Sequence, residues 1–377
     1  MTRERPGGGQ GSSGGEFLVP GGAGARPRTP GRGGALTDVA GLRVGHARVA
    51  GERALTGTTV VLAPDGGVTA AVDVRGGGPA TRETDALDPR NLVGRVEAVV
   101  LTGGSAYGLD AASGVAAWLE EQGRGVRIPD RGHVVPVVPA AAVFDLGRGG
   151  DWSVRPGAAT GRAAVEAAAD SPLLAPVAEG SVGAGTGALV GQLKGGVGTA
   201  STVLPDSGAT VAALVVANAA GSAVDPLTGV LYGRYFGGHA VPPAPAVHEA
   251  AQARLAALGE DMGPAPLNTT LVVVATDAAL SRAQAQKAAG TAHDGIARAV
   301  RPAHLLNDGD TVFALATGDV PLGEGPLALN PVLAAAADTV TRAIVRAVLA
   351  AEGVSGPGGV FPSYLDLYGS DSARDVL

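Results

Sequence analysis

Asn268-Thr269-Thr270-Leu271-Val272-Val273-Val274 sets a hydroxyl-bearing tripeptide directly against four consecutive apolar residues. The apolar part, rich in valine, reads as a buried strand. A second such run, Val312-Phe313-Ala314-Leu315-Ala316, follows Asp308-Gly309-Asp310-Thr311. With no cysteine and only six histidines, the chain has few ways to make a nucleophile. A threonine hydroxyl is weak at its own pKa and needs an adjacent base. Cleavage after Asn268 would supply one, because a freed α-amine ordinarily titrates at about 7.7–8.0. The stretch therefore predicts a chain that cuts its own backbone and then uses Thr269 as an N-terminal nucleophile for hydrolysis.

Outward from this stretch, strands and helices alternate. Past Thr269 the pattern gives a strand (Leu271–Thr276), a long helix (Ala279–Val300), a strand (Thr311–Thr317) and a second long helix. That last helix carries Asn330 as an expected N-cap, Pro331 at its first position and Gly353 as a stop. Its apolar residues Val332, Leu333, Ala336, Val340, Ile344 and Val348 form one stripe. Before Thr269, strand patterns cover Thr58–Ala63, Val68–Val74, Val96–Thr102, Gly198–Leu204 and Thr210–Ala217. Helical spacing covers Asp110–Gln122, Thr160–Ala169 and, within a Pro/Ala-rich linker from Val241 to Pro266, His248–Leu258. The connections are too uneven for a repeating βαβ unit. A layered αββα sandwich is the simplest α/β core that joins both halves.

Composition narrows the function. Hydrophobic residues make up 45%, enough for a substantial core, but aromatics are only 3%, so that core must be built from Ala, Val and Leu. The net charge of −7 with both signs scattered argues against nucleic acid. The absence of cysteine removes disulfides, thiolate catalysis and zinc-thiolate sites. No stretch resembles a signal-peptide core or spans a bilayer, so a cytoplasmic protein with no membrane partner is expected. Residues Met1–Gly34 are Gly, Ser, Pro and Arg without period and read as a disordered tail.

Several stretches mimic familiar sites. Gly183-Ala184-Gly185-Thr186-Gly187-Ala188 fits a dinucleotide fingerprint, but the Gly-broken residues after it cannot supply the required helix. Gly103-Gly104-Ser105-Ala106-Tyr107 has Tyr107 where a nucleophile elbow needs glycine. His133, His239, His293 and His304 show no ligand spacing, so neither metal nor cofactor is expected. Three other positions carry more. Lys194, one of two lysines, lies among glycines in an apolar β region and reads either as a solvated charge or as a partly buried lysine that lowers the pKa of a nearby amine or acts as a base itself. Asn218 ends an apolar strand, as an oxyanion donor or as a turn residue. Asp308 and Asp310 read either as an Asx-turn at a strand start or as paired carboxylates that hold and orient a threonine.

The conjunction resembles the DmpA-like L-aminopeptidase/D-esterase family, and within it the threonine-nucleophile branch that includes nylon-oligomer (6-aminohexanoate oligomer) hydrolase. The resemblance runs from Ala35 to about Tyr364. It is carried by Leu36-Thr37-Asp38-Val39 through His46, Asp73 through Pro79 with Arg82-Glu83-Thr84, Leu101 through Leu109, Gly183 through Gly196, and Asn268 through Leu271. It implies an inactive precursor cut between Asn268 and Thr269, leaving an α fragment (35–268) and a β fragment (269–377) that stay assembled, in a homo-oligomer of αβ units. It further implies catalytic roles for Thr269, Lys194, Asn218, Asp308 and Asp310, and the αββα fold. Some members use a tyrosine hydroxyl in the oxyanion hole; Phe144 and Tyr107 are the candidates for that place here. The expected reaction is hydrolysis of amide bonds in short peptides or linear amide oligomers. The alternatives are removal of N-terminal amino acids with D-esterase activity, acyl transfer through the same threonine ester, and a self-cleaving but catalytically idle assembly protein.

Overall fold

A computed structural model describes residues 29–30, 33–129, 132–238, 240–259 and 267–369. The tail expected over Met1–Gly34 lies outside these residues except at 29–30 and 33–34, as does the last part of the linker, 260–266. The body consists of β1 (Arg43–Arg48), β2 (Gly57–Leu62), β3 (Thr69–Val74), β4 (Ala98–Thr102), α1 (Ala111–Glu121), β5 (Ala140–Ala142), α2 (Ala158–Asp170), β6 (Gly196–Val203), β7 (Thr210–Ala217), β8 (Leu271–Ala278), α3 (Arg282–Ala299), β9 (Thr311–Val320) and α4 (Asn330–Ala350). One sheet has the order β6-β7-β8-β9-β3, with Thr29–Pro30 added outside β6; the other has β1-β2-β4-β5, with Thr81–Arg82 added outside β5. β8 and β9 pair in parallel, as do β4 and β5; the remaining pairs of the body are antiparallel.

Strand alternation assigns each residue to a layer. In β8 and β9, Leu271, Val273, Ala275, Phe313 and Leu315 face the other sheet and meet Val61, Val99, Leu101 and Ala141. The intervening Val272, Val274, Val312 and Ala314 face Ala288, Ile296, Val340 and Ile344 of α3 and α4. On the far side, Val60, Leu62 and Val100 pack beneath Val115 and Leu119 of α1 and Ala164 and Val165 of α2. The result is helix, sheet, sheet, helix, as expected, with three apolar layers.

Small residues let the outer helices close on their sheets. A Cβ on Gly198 would sit 2.1 Å from the Ala343 carbonyl of α4, and one on Gly45 would sit 2.2 Å from the Ala164 carbonyl of α2. Helix ends depart from expectation in one place. Asn330 is the first residue of α4 rather than its cap, and the helix stops at Ala350, before Gly353. α3 instead has a full capping box, with Ser281 and Gln284 exchanging hydrogen bonds. No helix among the described residues is long and apolar enough to cross a membrane.

Candidate active site

The registers of three adjacent strands converge on Thr269. β7 and β8 pair Val216 with Leu271, and β8 and β9 pair Leu271 with Thr311. Carried back two residues, both registers place Thr269 between Asn218 and Gly309, and an isolated bridge between Asn268 and Asp308 continues the parallel pairing. The Thr269 N–H donates to the Asn218 carbonyl (2.5 Å), and the Gly309 N–H donates to the Asn268 carbonyl (2.9 Å). The Asn268 N–H donates to the Asn307 carbonyl (3.1 Å). The Asn268–Thr269 peptide is therefore fixed on both faces, and both residues are buried, with 3% and 4% exposure.

Thr269 Oγ1 lies 2.6 Å from the Asn268 carbonyl oxygen and donates to it. The hydroxyl thus sits beside the carbonyl that it would attack, while that carbonyl oxygen already receives a backbone N–H. A Cβ on residue 309 would come within 2.6 Å of Thr269 Oγ1, so glycine opposite the threonine is a steric requirement of this arrangement.

Lys194 is fully buried just before β6. Its Nζ donates to the carbonyls of Thr186 and Ala188, both at 2.9 Å, and among the described residues it makes no hydrogen bond to Thr269. Burial, reinforced by the charge of Arg148, pulls its pKa from the ordinary lysine value to about 7. Both contacts are ones that a neutral amine, with two N–H donors and one lone pair, can make.

Between those two carbonyls, Gly187 O accepts from Arg148 Nη1 (2.7 Å). The same guanidinium reaches Asn218 Oδ1 through Nη1 (2.5 Å) and Asn268 Oδ1 through Nη2 (2.7 Å). Arg148 therefore ties the Asn268 side chain to Asn218. Its burial lowers its pKa to about 10, which still leaves it charged, with Asp145 as the nearby countercharge. Asp145 is itself buried, which raises its pKa, and it accepts the Gly104 N–H (2.7 Å).

Of the residues expected from sequence, the strand registers bring Asn218, Asn268, Thr269, Asp308 and Asp310 together, and Lys194 joins them through the Thr186–Ala188 turn. Their contacts differ in detail from the expectation. Asn218 Oδ1 is committed to Arg148 and the Leu189 N–H (3.0 Å), and its Nδ2 faces the Phe144 carbonyl at 3.5 Å rather than the Asn268 carbonyl. Asp308 accepts the N–H groups of Ala220 (3.2 Å) and Leu305 (3.0 Å), and burial raises its pKa. Asp310 accepts the Thr270 N–H (2.7 Å) and pairs with His304 Nδ1 (2.7 Å). Both carboxylates thus hold backbone around Thr269, and among the described residues neither hydrogen-bonds its hydroxyl. Phe144 has no hydroxyl, and Tyr107 is 57% exposed beneath Arg155.

Sequence reasoning passed over Arg148, Asp145 and the Gly309 N–H, and set His304 aside for want of ligand spacing. The signal for Arg148 was present in Phe144-Asp145-Leu146-Gly147-Arg148-Gly149-Gly150, where a cation is enclosed by glycines as Lys194 is.

The family model of Peptidase family S58 matches residues 34–361. The chain belongs to peptidase family S58. It is 50% identical over 351 residues to an uncharacterised aminopeptidase of Mycobacterium tuberculosis (strain ATCC 25618 / H37Rv), covering 88% of this chain and 97% of the relative. It is 30% identical over 307 residues to the 6-aminohexanoate-oligomer endohydrolase of Kocuria sp. (strain KY2), covering 79% of each. Among solved structures it matches the L-aminopeptidase D-Ala-esterase/amidase of Ochrobactrum anthropi, described as a variant of the Ntn hydrolase fold, with a TM-score of 0.68, 25% identity and coverage of 93% and 95%. The protein is thus a peptidase, an amide hydrolase with that layered architecture.

Proposed function

We propose that this S58 peptidase is synthesised as an inactive precursor, cuts its own Asn268–Thr269 bond, and then hydrolyses amide bonds through the freed Thr269. The observation that carries this reading is the 2.6 Å approach of Thr269 Oγ1 to the Asn268 carbonyl oxygen, in a buried site where Gly309 N–H already supports that oxygen. Oγ attacks the Asn268 carbonyl carbon and its proton passes to a base, for which the neutral Lys194 amine is suited. Collapse expels the Thr269 nitrogen, which takes up a proton, and leaves an ester between Asn268 and Thr269 Oγ. Water then cleaves the ester, releasing the Asn268 carboxyl group and the Thr269 α-amine. In turnover the amine accepts the Oγ proton, Oγ forms an acyl-enzyme with the substrate carbonyl, the amine leaving group departs, and water regenerates Thr269.

The fragments would remain together after cleavage. β8 and β9 lie between β7 and β3, so residues 269–377 supply two interior strands and both helices of one outer layer. Removing them would expose two apolar layers. The likeness to proteins named aminopeptidases, at 50% identity, favours release of N-terminal residues over endohydrolysis of amide oligomers, where the likeness is 30%.

Intact mass and N-terminal sequencing of the purified protein test the central step. The expected result is a fragment of 109 residues beginning at Thr269, of about 11 kDa by proportion. An active enzyme made of uncut chains refutes it.

A further inference from the structure

In the uncleaved chain, the place beside Thr269 is filled by Asn268, the acyl residue of the first bond to be cut. Its carboxamide oxygen is bound by Arg148 Nη2 at 2.7 Å, and Asn268 and Arg148 are both buried. The other terminal guanidinium nitrogen, Nη1, is taken by Gly187 O and Asn218 Oδ1, two fixed parts of the protein. Of these three partners, only Asn268 carries the carbonyl that the proposed cut would free.

We infer that Arg148 determines which acyl residue the mature enzyme accepts, favouring one whose side chain presents a carbonyl oxygen where Asn268 Oδ1 lies, an asparaginyl or aspartyl group. This rests on the proposed use of Thr269 for both self-cleavage and turnover. The same Oγ and the same Gly309 N–H then receive both carbonyls, so a substrate carbonyl occupies the position of the Asn268 carbonyl. The side chain on that acyl residue is thereby directed into the space that the Asn268 side chain held.

An arginine cannot shed its proton to relieve burial as a lysine does. With the Asn268 side chain displaced by a substrate, Nη2 needs an oxygen from that substrate or from water. An apolar side chain of similar size, such as leucine, displaces the water and offers nothing in return, leaving a buried charged donor unpaired. Discrimination of about tenfold to a hundredfold against leucine follows from the usual strength of such a bond. Asp145, which supplies a countercharge to Arg148, reduces the need for an anion, so asparaginyl and aspartyl groups are both accepted.

The experiment uses the matured full-length protein, with cleavage at Thr269 verified by mass, and measures kcat/KM on the p-nitroanilides of asparagine, aspartate and leucine. The expected result is at least tenfold preference for the asparagine or aspartate compound over leucine. Arg148→Lys, wherever it matures, should bring that ratio close to one. A cleaved wild-type protein that turns over leucine as fast as the other two, or turns over none of them, overturns the inference while self-cleavage stands. So does a matured Arg148→Lys enzyme that keeps the wild-type ratio. A chain that remains intact overturns the proposed function itself. If Arg148→Lys does not mature, the wild-type ratio alone decides.

Discussion

Gly309→Ala separates the position of the nucleophile from the support of its target carbonyl. The substitution keeps the N–H that donates to Asn268 O, so the oxyanion contact survives. The added methyl carbon, however, would sit 2.6 Å from Thr269 Oγ1, 3.0 Å from Gly78 O and 3.2 Å from Pro79 Cα. Ordinary contact begins at 3.4 Å, so the hydroxyl or the Asp308–Asp310 turn must yield by about 0.8 Å. A displacement of that order costs roughly a hundredfold in a reaction that depends on alignment, equivalent to about 2.7 kcal/mol of barrier. Overpacking at one methyl should cost about 1–3 kcal/mol of stability, leaving the protein folded. The variant should therefore be isolated mainly as the intact chain and should release the fragment beginning at Thr269 slowly on incubation. Intact mass against time gives the rate, and thermal melting in parallel shows that the fold persists. Cleavage as rapid as in the wild type, with unchanged melting, would refute the placement of Gly309 against Thr269.

Thr269→Ala should abolish both self-cleavage and hydrolysis, whereas Thr269→Ser should retain part of each; fragment analysis and amide turnover on the same samples check both, and cleavage of the alanine variant at this bond would rule out Oγ as the attacking atom. Lys194→Met should slow self-cleavage at least tenfold while leaving a folded protein, because general-base assistance is typically worth more than that. In a slowly processed variant such as Thr269→Ser, the cleavage rate should rise with pH through about 7, as Lys194 loses its proton, and level above it. The stability effect has the same direction. The folded-state pKa of Lys194 lies below its unfolded value of about 10.4, so between the two values the unfolded chain binds more protons and the Lys194 contribution to stability rises with pH. Urea unfolding of Thr269→Ala across that range should show a positive component that disappears when Lys194→Met is added; an unchanged pH dependence would mean that Lys194 is not held as a depressed amine.

The layers were readable because β8 and β9 are apolar on both faces, which demands cover on both sides. Which face meets a helix and which meets the second sheet was not readable, since Leu271 and Val272 carry equivalent chemistry into different layers. The site residues stood out by context, as a lysine among glycines, an asparagine at a strand end and two aspartates around a glycine. What joins them is strand register, and Asn218 and Asn268 lie 50 positions apart with no local spacing that could reveal the pairing. Gly309 was hidden for a simpler reason. Its contribution is a backbone N–H and the absence of a side chain, and Asp-Gly before a strand is an ordinary turn. Arg148 was hidden because exposed arginine is the common case, although its glycine neighbours gave the same warning that marked Lys194.

The three buried charges bear on the base role proposed for Lys194. Asp145, Arg148 and Lys194 all lie in the interior. If all were ionised, the group would carry a net positive charge in a medium that solvates it poorly. Arg148 holds its proton, so Lys194 is the group that yields, and its two carbonyl contacts match the amine that remains. The same field then acts on the product of cleavage. A new α-amine at Thr269, anchored on the Asn218 carbonyl, would have to ionise close to the Arg148 network, and a positive neighbour disfavours the ammonium form. On this reading, Arg148 does more than hold Asn268 in place before the cut. By keeping its own charge, it disfavours a proton on Lys194, and would do the same for a Thr269 amine freed by the proposed cut.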